Sequence, residues 1–206
     1  MSKATQTDAM GSIQRGIKRT LDIVMSALGL ILLSPIFIII SVLMKFQGNG
    51  PIFFRQIRIG YKGKPFVILK FRTISKKTEK NTPQLIAKTS CKSSTPFEKF
   101  LREHHLDELP QLWNVLVGDM SLVGPRPERK YFIDKIMEHT DLYTVIYNMR
   151  PGLTSEATLY NGYTDTMEKM LKRLQMDISY FERRSLWLDF KIIIKTFVNI
   201  ISGNKF

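Results

Sequence analysis

Two adjacent carboxylates, Asp107 and Glu108, begin the stretch LDELPQLWNVLVGDMSLVGPRPE, and an arginine fenced by prolines, Arg126, nearly ends it. Neighbouring residues do not share one direction on a helix, so the two acids can serve distinct roles around one ligand. Pro125 and Pro127 stiffen the backbone on both sides of Arg126, which suits a fixed phosphate clamp better than a solubilising charge. Arg102 precedes Asp107 by roughly one helical turn. Acids and cations in this arrangement point to phosphoryl chemistry. The acids can hold a hard divalent ion or attack phosphorus, and the cations neutralise its oxygens.

A plainer reading also accommodates the acids alone. Pro110 suits the first turn of a helix carrying Leu112, Trp113 and Leu116, which places Asp107 and Glu108 at its positive end. The commonest nucleotide and hydrolase motifs are absent: no P-loop, no GxGxxG, no HExxH and no GxSxG. A two-carboxylate glycosidase fits poorly, because side-by-side acids at a helix start do not flank a sugar ring from opposite faces.

The elements that must position these residues are legible on either side. Pro51 to Thr73 reads as a β-hairpin, IFFRQIRI and FVILKFRT around the glycine-bearing turn GYKGKP. Alternation places Val67, Leu69 and Phe71 on one face and Lys70 with Arg72 on the other. Ser75 to Ser94, polar and basic, reads as a mobile loop. Thr95, Pro96 and Glu98 then form a capping box that starts a helix reaching Arg102. Further helices are expected over Asp134–Tyr147, ended by Pro151-Gly152, and over Thr166–Tyr180. In the last segment, SLWLDFKIIIKTFVNIIS, the stripe of Trp187, Phe190, Ile194, Phe197 and Ile201 suits either the core or a headgroup layer with Lys191 and Lys195 snorkelling. Core is the plainer expectation.

The totals set bounds. A chain of 206 residues with 44% hydrophobic content is one ordinary domain with enough apolar residues for a core. Cys91 is the single cysteine, which excludes a disulfide framework or a CxxC knuckle and suits a reducing compartment. Residues 1–100 hold 17 Lys and Arg against 4 acids, and residues 101–206 hold 14 against 14, so the whole surplus of +13 lies in the first half. Such asymmetry implies a polyanionic partner, either nucleic acid or an anionic membrane surface.

The apolar run from Ile23 to Met44 favours the membrane. It carries no charge, meets the length rule for a bilayer span, and lacks a signal-peptide cleavage site. Ser34-Pro35 interrupts it at the middle, and cations flank both ends: Arg15, Lys18 and Arg19 before, Lys45, Arg55, Arg58, Lys62 and Lys64 after. A kinked spanning helix and a re-entrant hairpin both fit this pattern. If both ends prefer the cytoplasmic face, the segment dips in and returns.

These blocks together carry a family resemblance. The SP break, KFRT, LDELPQLWNVLVGDMSLVGPRP, RPGLT and SLWLDFKIIIKT resemble the bacterial sugar transferases, the monotopic phosphoglycosyl transferases, over about Lys18 to Thr196. The chain looks like their minimal catalytic form, without the multi-helix membrane domain of larger relatives. The resemblance implies an enzyme that moves a phospho-sugar from a UDP-sugar to polyprenyl (undecaprenyl) phosphate and releases UMP. It implies Asp107 as nucleophile, forming a covalent aspartyl phospho-sugar intermediate, Glu108 as its assistant, and Mg²⁺ bridging the Asp107 carboxylate and the diphosphate. Lys70, Arg102 and Arg126 match positions near the phosphates, and Arg72, on the Lys70 face, is expected to bind phosphate with them. Ser34 and Pro35 match the membrane break. Arg150, Pro151, Gly152 and Thr154 form a candidate substrate loop. Relatives often read PGITGLAQV where this chain has PGLTSEATL, so Ser155, Glu156 and Thr158 leave donor identity open. His104 and His105 read as surface residues, and Asp177 and Asp189 as acids of structural or binding role.

The expected architecture is α+β. It is a mostly helical, membrane-associated single domain with a re-entrant N-terminal helix-break-helix, a small β-hairpin and interfacial amphipathic helices. Residues 1–20 form a polar lead, 21–46 the re-entrant helix and 47–206 the catalytic domain. Expected partners are UDP-sugar, polyprenyl phosphate and anionic headgroups rather than nucleic acid, at the cytoplasmic face of a bacterial inner membrane with both termini inside. The competing reading is a membrane-anchored basic module that binds nucleic acid or a lipid surface. It needs base-stacking aromatics between the cations, and Phe53, Phe54, Phe66 and Phe71 mostly alternate toward a core instead.

Overall fold

The computed structural model describes residues 6–47, 50–73, 95–162 and 164–202. The expected loop from 75 to 94, with Cys91, lies outside them. The first two helices, α1 (Ser12–Leu32) and α2 (Ser34–Phe46), meet at a bend of 57°. Pro35 has no N–H to give the Ile31 carbonyl. The Ser34 hydroxyl donates to that carbonyl instead, at 2.7 Å, so the break leaves it satisfied. No single described helix is long and apolar enough to cross a membrane, whereas the bent pair together passes that test of length and composition.

Helix α1 begins at Ser12, within the stretch expected as a polar lead, and its polar side is fastened to the rest of the fold. Asp22 accepts from the Leu122 amide at 3.0 Å, and Arg19 donates to the Val115 and Leu116 carbonyls at 2.7 and 2.8 Å. Lys18 donates to the Val123 carbonyl at 2.9 Å and to Asp189 at 2.5 Å. Ile17, Leu21, Val24 and Leu28 of the same helix stay exposed, as do Ile38, Ile39 and Phe46 of α2.

The hairpin forms as expected. Strands β1 (Phe53–Ile59) and β2 (Pro65–Phe71) pair antiparallel, with Phe53 opposite Phe71 and Ile59 opposite Pro65, around a tight turn at Tyr61–Gly63. Lys62 in that turn has φ 58 and Gly63 has φ 70. Val67 is exposed, while Ile68 and Phe71, on opposite faces of β2, are both buried. Each face of β2 therefore contributes to a cluster. Ile68 joins Val115 and Met120, and Phe71 joins Ile40, Met44 and Leu101.

Helix α3 (Pro96–Glu103) starts with the full capping box: Thr95 Oγ1 accepts from Glu98 N at 3.2 Å, and Glu98 accepts from Thr95 N at 2.9 Å. Helix α4 (Gln111–Val117) ends at Gly118, whose φ of 101 favours glycine. A second sheet, of two strands, was not foreseen: β3 (Ser121–Val123) pairs parallel with β4 (Gly152–Thr154). The single helix expected over Asp134–Tyr147 is two, α5 (Lys130–Met137) and α6 (Tyr143–Ile146). Short polar side chains divide them. Thr140 Oγ1 accepts from Leu142 N at 3.3 Å and Thr144 Oγ1 donates to the Asp141 carbonyl at 2.9 Å, local bonds that compete with a helix.

After α7 (Glu156–Asn161), helices α8 (Met167–Arg183) and α9 (Leu186–Ile201) begin at Thr166 and Ser185, each accepting from an amide three residues on. The main core joins Phe132, Ile133, Ile136, Ile146, Leu174, Ile178, Phe181 and Ile192. The core expectation for the α9 stripe is corrected: Trp187 is 63% exposed and Phe197 61%, with Phe190 and Ile194 exposed beside them. Leu188, Ile192 and Ile193 fill the inner side instead. The fold is a mixed one, mostly helical, with two small sheets among the described residues.

Candidate active site

The two acids lie on a short 3-10 turn, Leu106–Glu108, between α3 and α4. His105 makes the corner, with φ 54, a left-handed conformation rare outside glycine. Leu109 and Pro110 continue with helical dihedrals into α4, so the acids stand at the start of that helical run. Leu106 and Leu109 pack against the cluster of Phe71 and Leu101, which fixes the turn against the hairpin.

Three separated segments meet there. Lys70 of β2 donates to Glu108 Oε1 at 2.5 Å, and Arg126, from the proline-flanked loop after β3, donates to the same oxygen at 2.9 Å. Asp107 is buried beside them. The two acids titrate as a pair driven apart. Burial, and then the neighbouring Glu108 charge, push Asp107 up to about 6, against the pull of Lys70 and Arg126. Burial opposes ionisation of Glu108 as well, but Arg126 and Lys70 outweigh it and hold that carboxyl well below its ordinary value. Burial lowers Lys70 in turn, partly offset by Glu108. At neutral pH Glu108 is a matched anion, and Asp107 is an ionised carboxylate with more basicity than an exposed aspartate. That division suits Asp107 to nucleophilic attack.

A second device sets the Lys70 register. Asn114 of α4 accepts from Leu69 N at 3.0 Å and donates to the Val67 carbonyl at 2.8 Å, bonding the edge of β2 as another strand would. The strand bearing Lys70 is thus tied to the helix that follows Glu108.

The remaining expected residues are placed less directly. No ion pair joins Arg102 or Arg72 to either acid among the described residues. Arg102 donates to the Thr73 carbonyl at 3.1 Å, and Arg72 is buried beside Gly50, its Nη1 without an acceptor among the described residues. Arg150 donates to the Gly118 carbonyl at 3.0 Å and lies over the Tyr61 ring. Pro151 and Gly152 take part in the β3–β4 pairing, and Thr154 meets Thr196 at 2.7 Å. Of these, Gly152 and Thr154 tie the start of the Arg126 loop through Pro125 O and Gly124 N. Ser155 caps α7 through Thr158 N at 2.9 Å, and Glu156 pairs with Arg183 at 2.5 Å. Asp189 is structural, joining Lys18 of α1 and the Tyr180 hydroxyl of α8. Asp177 is buried on α8, where burial raises it to about 7 despite Arg173.

The His104 ring lies against Phe100, tilted by 36° with centroids 4.2 Å apart. His105 is corrected: it is half-buried rather than a surface residue, near enough to the acids for Glu108, Arg126 and Lys70 to influence it. Sequence reasoning missed Glu128, Arg58, Arg173 and Asn114. A glutamate directly after Pro127 was the one local signal available.

Among the described residues no three His, Cys, Asp or Glu side chains gather to hold a metal. Glu108 Oε1 is already taken by two cations. That leaves the Asp107 carboxylate and Glu108 Oε2, and one or two carboxylates completed by substrate phosphates is the usual Mg²⁺ arrangement. The residues fit a metal that arrives with a diphosphate.

Comparison with known proteins agrees with this chemistry. Residues 13–203 match the family model described as bacterial sugar transferase. The chain is 40% identical over 190 residues to a UDP-glucose:undecaprenyl-phosphate glucose-1-phosphate transferase of Klebsiella pneumoniae, covering 91% of this chain and 40% of that protein. A Caulobacter vibrioides protein of the same name is 40% identical over 188 residues, covering 90% of this chain and 70% of its own. An Aeromonas hydrophila UDP-N-acetylgalactosamine-undecaprenyl-phosphate N-acetylgalactosaminephosphotransferase is 36% identical, with 91% and 44% covered. The chain therefore spans about two fifths of the Klebsiella and Aeromonas relatives and more than two thirds of the Caulobacter one.

Proposed function

The chain belongs to the bacterial sugar transferase family, and on that premise we propose that it moves a phospho-sugar from a UDP-sugar to undecaprenyl phosphate and releases UMP. The observation that carries this reading is a buried Asp107 beside a Glu108 already matched by Lys70 and Arg126. A carboxylate so placed, with a pKa of about 6, is largely ionised at neutral pH beside cations already matched by Glu108.

In the first step an Asp107 carboxylate oxygen bonds to the sugar-bearing phosphorus. The bond from that phosphorus to the bridging oxygen breaks, and UMP leaves with the electron pair. An oxygen of the lipid phosphate then bonds to the same phosphorus, the bond to Asp107 breaks, and the free carboxylate returns with a lipid diphosphate sugar as product. Lys70 and Arg126, held in place by Glu108 before the donor arrives, receive the phosphate oxygens at little reorganisation cost. Arg72 and Arg102 add positive potential around them. Asp107 and the diphosphate would hold Mg²⁺, which when bound offsets the repulsion between an anionic nucleophile and an anionic substrate.

The lipid acceptor requires a site at the membrane. In this reading α1 and α2 dip into the bilayer and return, with both termini cytoplasmic. The exposed apolar sides of α1, α2 and α9, with Trp113 and Val117 of α4, rest in the headgroup boundary at the cytoplasmic face of the inner membrane. Lys191 over Trp187 and Lys195 over Tyr160 suit that layer, where long cationic side chains keep their heads in water. The reaction is then the first membrane step of glycan or glycoconjugate assembly.

The test is UMP release by the purified chain, with a panel of UDP-sugars and undecaprenyl phosphate. The expected result is UMP formation with at least one donor, absent in Asp107→Asn. A folded, membrane-bound protein that releases no UMP from any donor contradicts the proposal.

A further inference from the structure

The loop that carries Arg126 is nailed down at both ends, and its second anchor is a residue the reaction itself does not use. On the near side, Gly124 and Gly152 approach so closely that a Cβ on Gly124 would lie 2.4 Å from the Arg150 carbonyl oxygen. Gly124 N donates to Thr154 O at 3.0 Å, and Gly152 N to Pro125 O at 2.9 Å. On the far side, Ile59 N donates to the Glu128 carbonyl at 3.0 Å, an isolated bridge that attaches the loop to β1.

The Glu128 side chain makes the stronger tie. Its Oε2 accepts from Arg58 of β1 at 3.3 Å, its Oε1 pairs with Arg173 of α8, and Arg58 Nη1 also donates to the Pro127 carbonyl at 3.0 Å. All three side chains are largely buried. Arg173 has Thr164 Oγ1 as a further acceptor at 2.7 Å, and Arg58 Nε has none among the described residues. Burial, together with the charge of Arg126, lowers both arginines to about 10. Three cations are therefore crowded together, and Glu128 is the carboxylate bonded to two of them.

We propose that Glu128 is a positioning residue for Arg126: by neutralising Arg58 and Arg173 beneath the loop, it holds the proline-flanked arginine at the point where it meets the donor phosphate. Without that charge, two buried guanidiniums repel one another and push the loop away from its floor. Arg126 then loses the fixed origin from which it reaches Glu108. The inference rests on the transferase reading for its catalytic consequence and on geometry alone for the position of Arg126.

Two measurements separate those supports. Glu128→Gln keeps size and an acceptor oxygen but removes the charge. Its UMP release, expressed as kcat/KM, is expected to fall between about tenfold and a hundredfold. In an Arg126→Ala background the same substitution is expected to change it less than about twofold, because Glu128 acts through Arg126. Equal losses in both backgrounds, or wild-type turnover in Glu128→Gln, overturn the proposal. The second measurement needs no substrate: phenylglyoxal modification of Arg126, followed by peptide mass spectrometry. It is expected to accelerate severalfold in Glu128→Gln at a temperature where the variant is folded. An unchanged rate overturns the positioning role even if no donor is turned over, whereas absence of UMP from the wild type strikes only the transferase reading.

Discussion

Lys70 Nζ lies 2.5 Å from Glu108 Oε1, across 38 residues of chain, and both side chains are largely buried. The pair joins a strand of the hairpin to the turn that bears the acids, so the hairpin is part of the site. Replacing Lys70 by methionine leaves Glu108 with Arg126 alone. Breaking a buried ion pair from one side costs on the order of 3–5 kcal/mol. Lys70→Met is expected to lower kcat/KM for UMP release by at least about a hundredfold and to lower Tm. Near wild-type kinetics would show that the pair has no part in turnover.

The elevated Asp107 gives turnover an acid limit. Attack requires the carboxylate, so kcat/KM is expected to fall about tenfold per pH unit below an apparent pKa near 6. Lys70 and Arg126 both favour the ionised form, so Lys70→Met should move that limit to higher pH. The linkage to stability has the opposite sense. A carboxyl raised on folding contributes stability below its unfolded value, and that contribution is lost as pH rises through about 6. Asp107→Asn is therefore expected to raise Tm at pH 8 while abolishing activity. A pH–rate profile flat from 5 to 8 would contradict the assignment.

Asn114 clasps β2 through two bonds, at 3.0 and 2.8 Å, to backbone groups that no strand among the described residues covers on that side. Asn114→Ala removes both partners and is expected to cost about 1–3 kcal/mol for each group left unsatisfied. Asn114→Asp should be worse. It loses the donor to Val67 and sets a second carboxylate near Asp119, whose oxygen is 3.4 Å from the Asn114 amide nitrogen. Denaturant unfolding measures both, and equal stability of all three proteins would remove the clasp.

Ser34 and Pro35 set the membrane topology in this account. Gly11, whose substitution meets no atom within 4 Å, is a suitable site for a reporter thiol in a Cys91→Ser background. Gly11→Cys is expected to react with an impermeant reagent only from the cytoplasmic side. Pro35→Ala restores the amide donor, which should straighten the pair and allow a fraction to span. Labelling of the reporter only from the outer side would contradict the re-entrant form.

Much of the site was legible because its signals are local. The acids at a helix start, the Pro-Arg-Pro loop, the Thr95 capping box and the Ser34-Pro35 break each declare themselves within a few residues. Glu128 with Arg58 and Arg173, and Asn114 with Val67 and Leu69, did not, because only tertiary folding brings them together. Alternation in β2 assigns residues to faces but cannot say which face is buried, and two clusters cover opposite faces of that strand. The stripe on α9 was legible as a stripe, but periodicity cannot say whether an apolar face turns inward or outward. That depends on Leu188, Ile192 and Ile193 packing into the main core on its other side. The division of α5 from α6 turned on side-chain bonds of Thr140 and Thr144 that helical spacing does not encode.

The proposed reaction turns on a transient bond between Asp107 and phosphorus. Incubating the chain with the UDP-sugar it turns over, omitting the lipid phosphate, and quenching in acid should leave a phospho-sugar on the peptide containing Asp107, readable by intact-mass and fragment-ion spectrometry. The mass should be absent in Asp107→Asn and should vanish when undecaprenyl phosphate is added before the quench. Full turnover with no adduct on Asp107 at any time point would contradict the account and favour direct transfer between the two substrates.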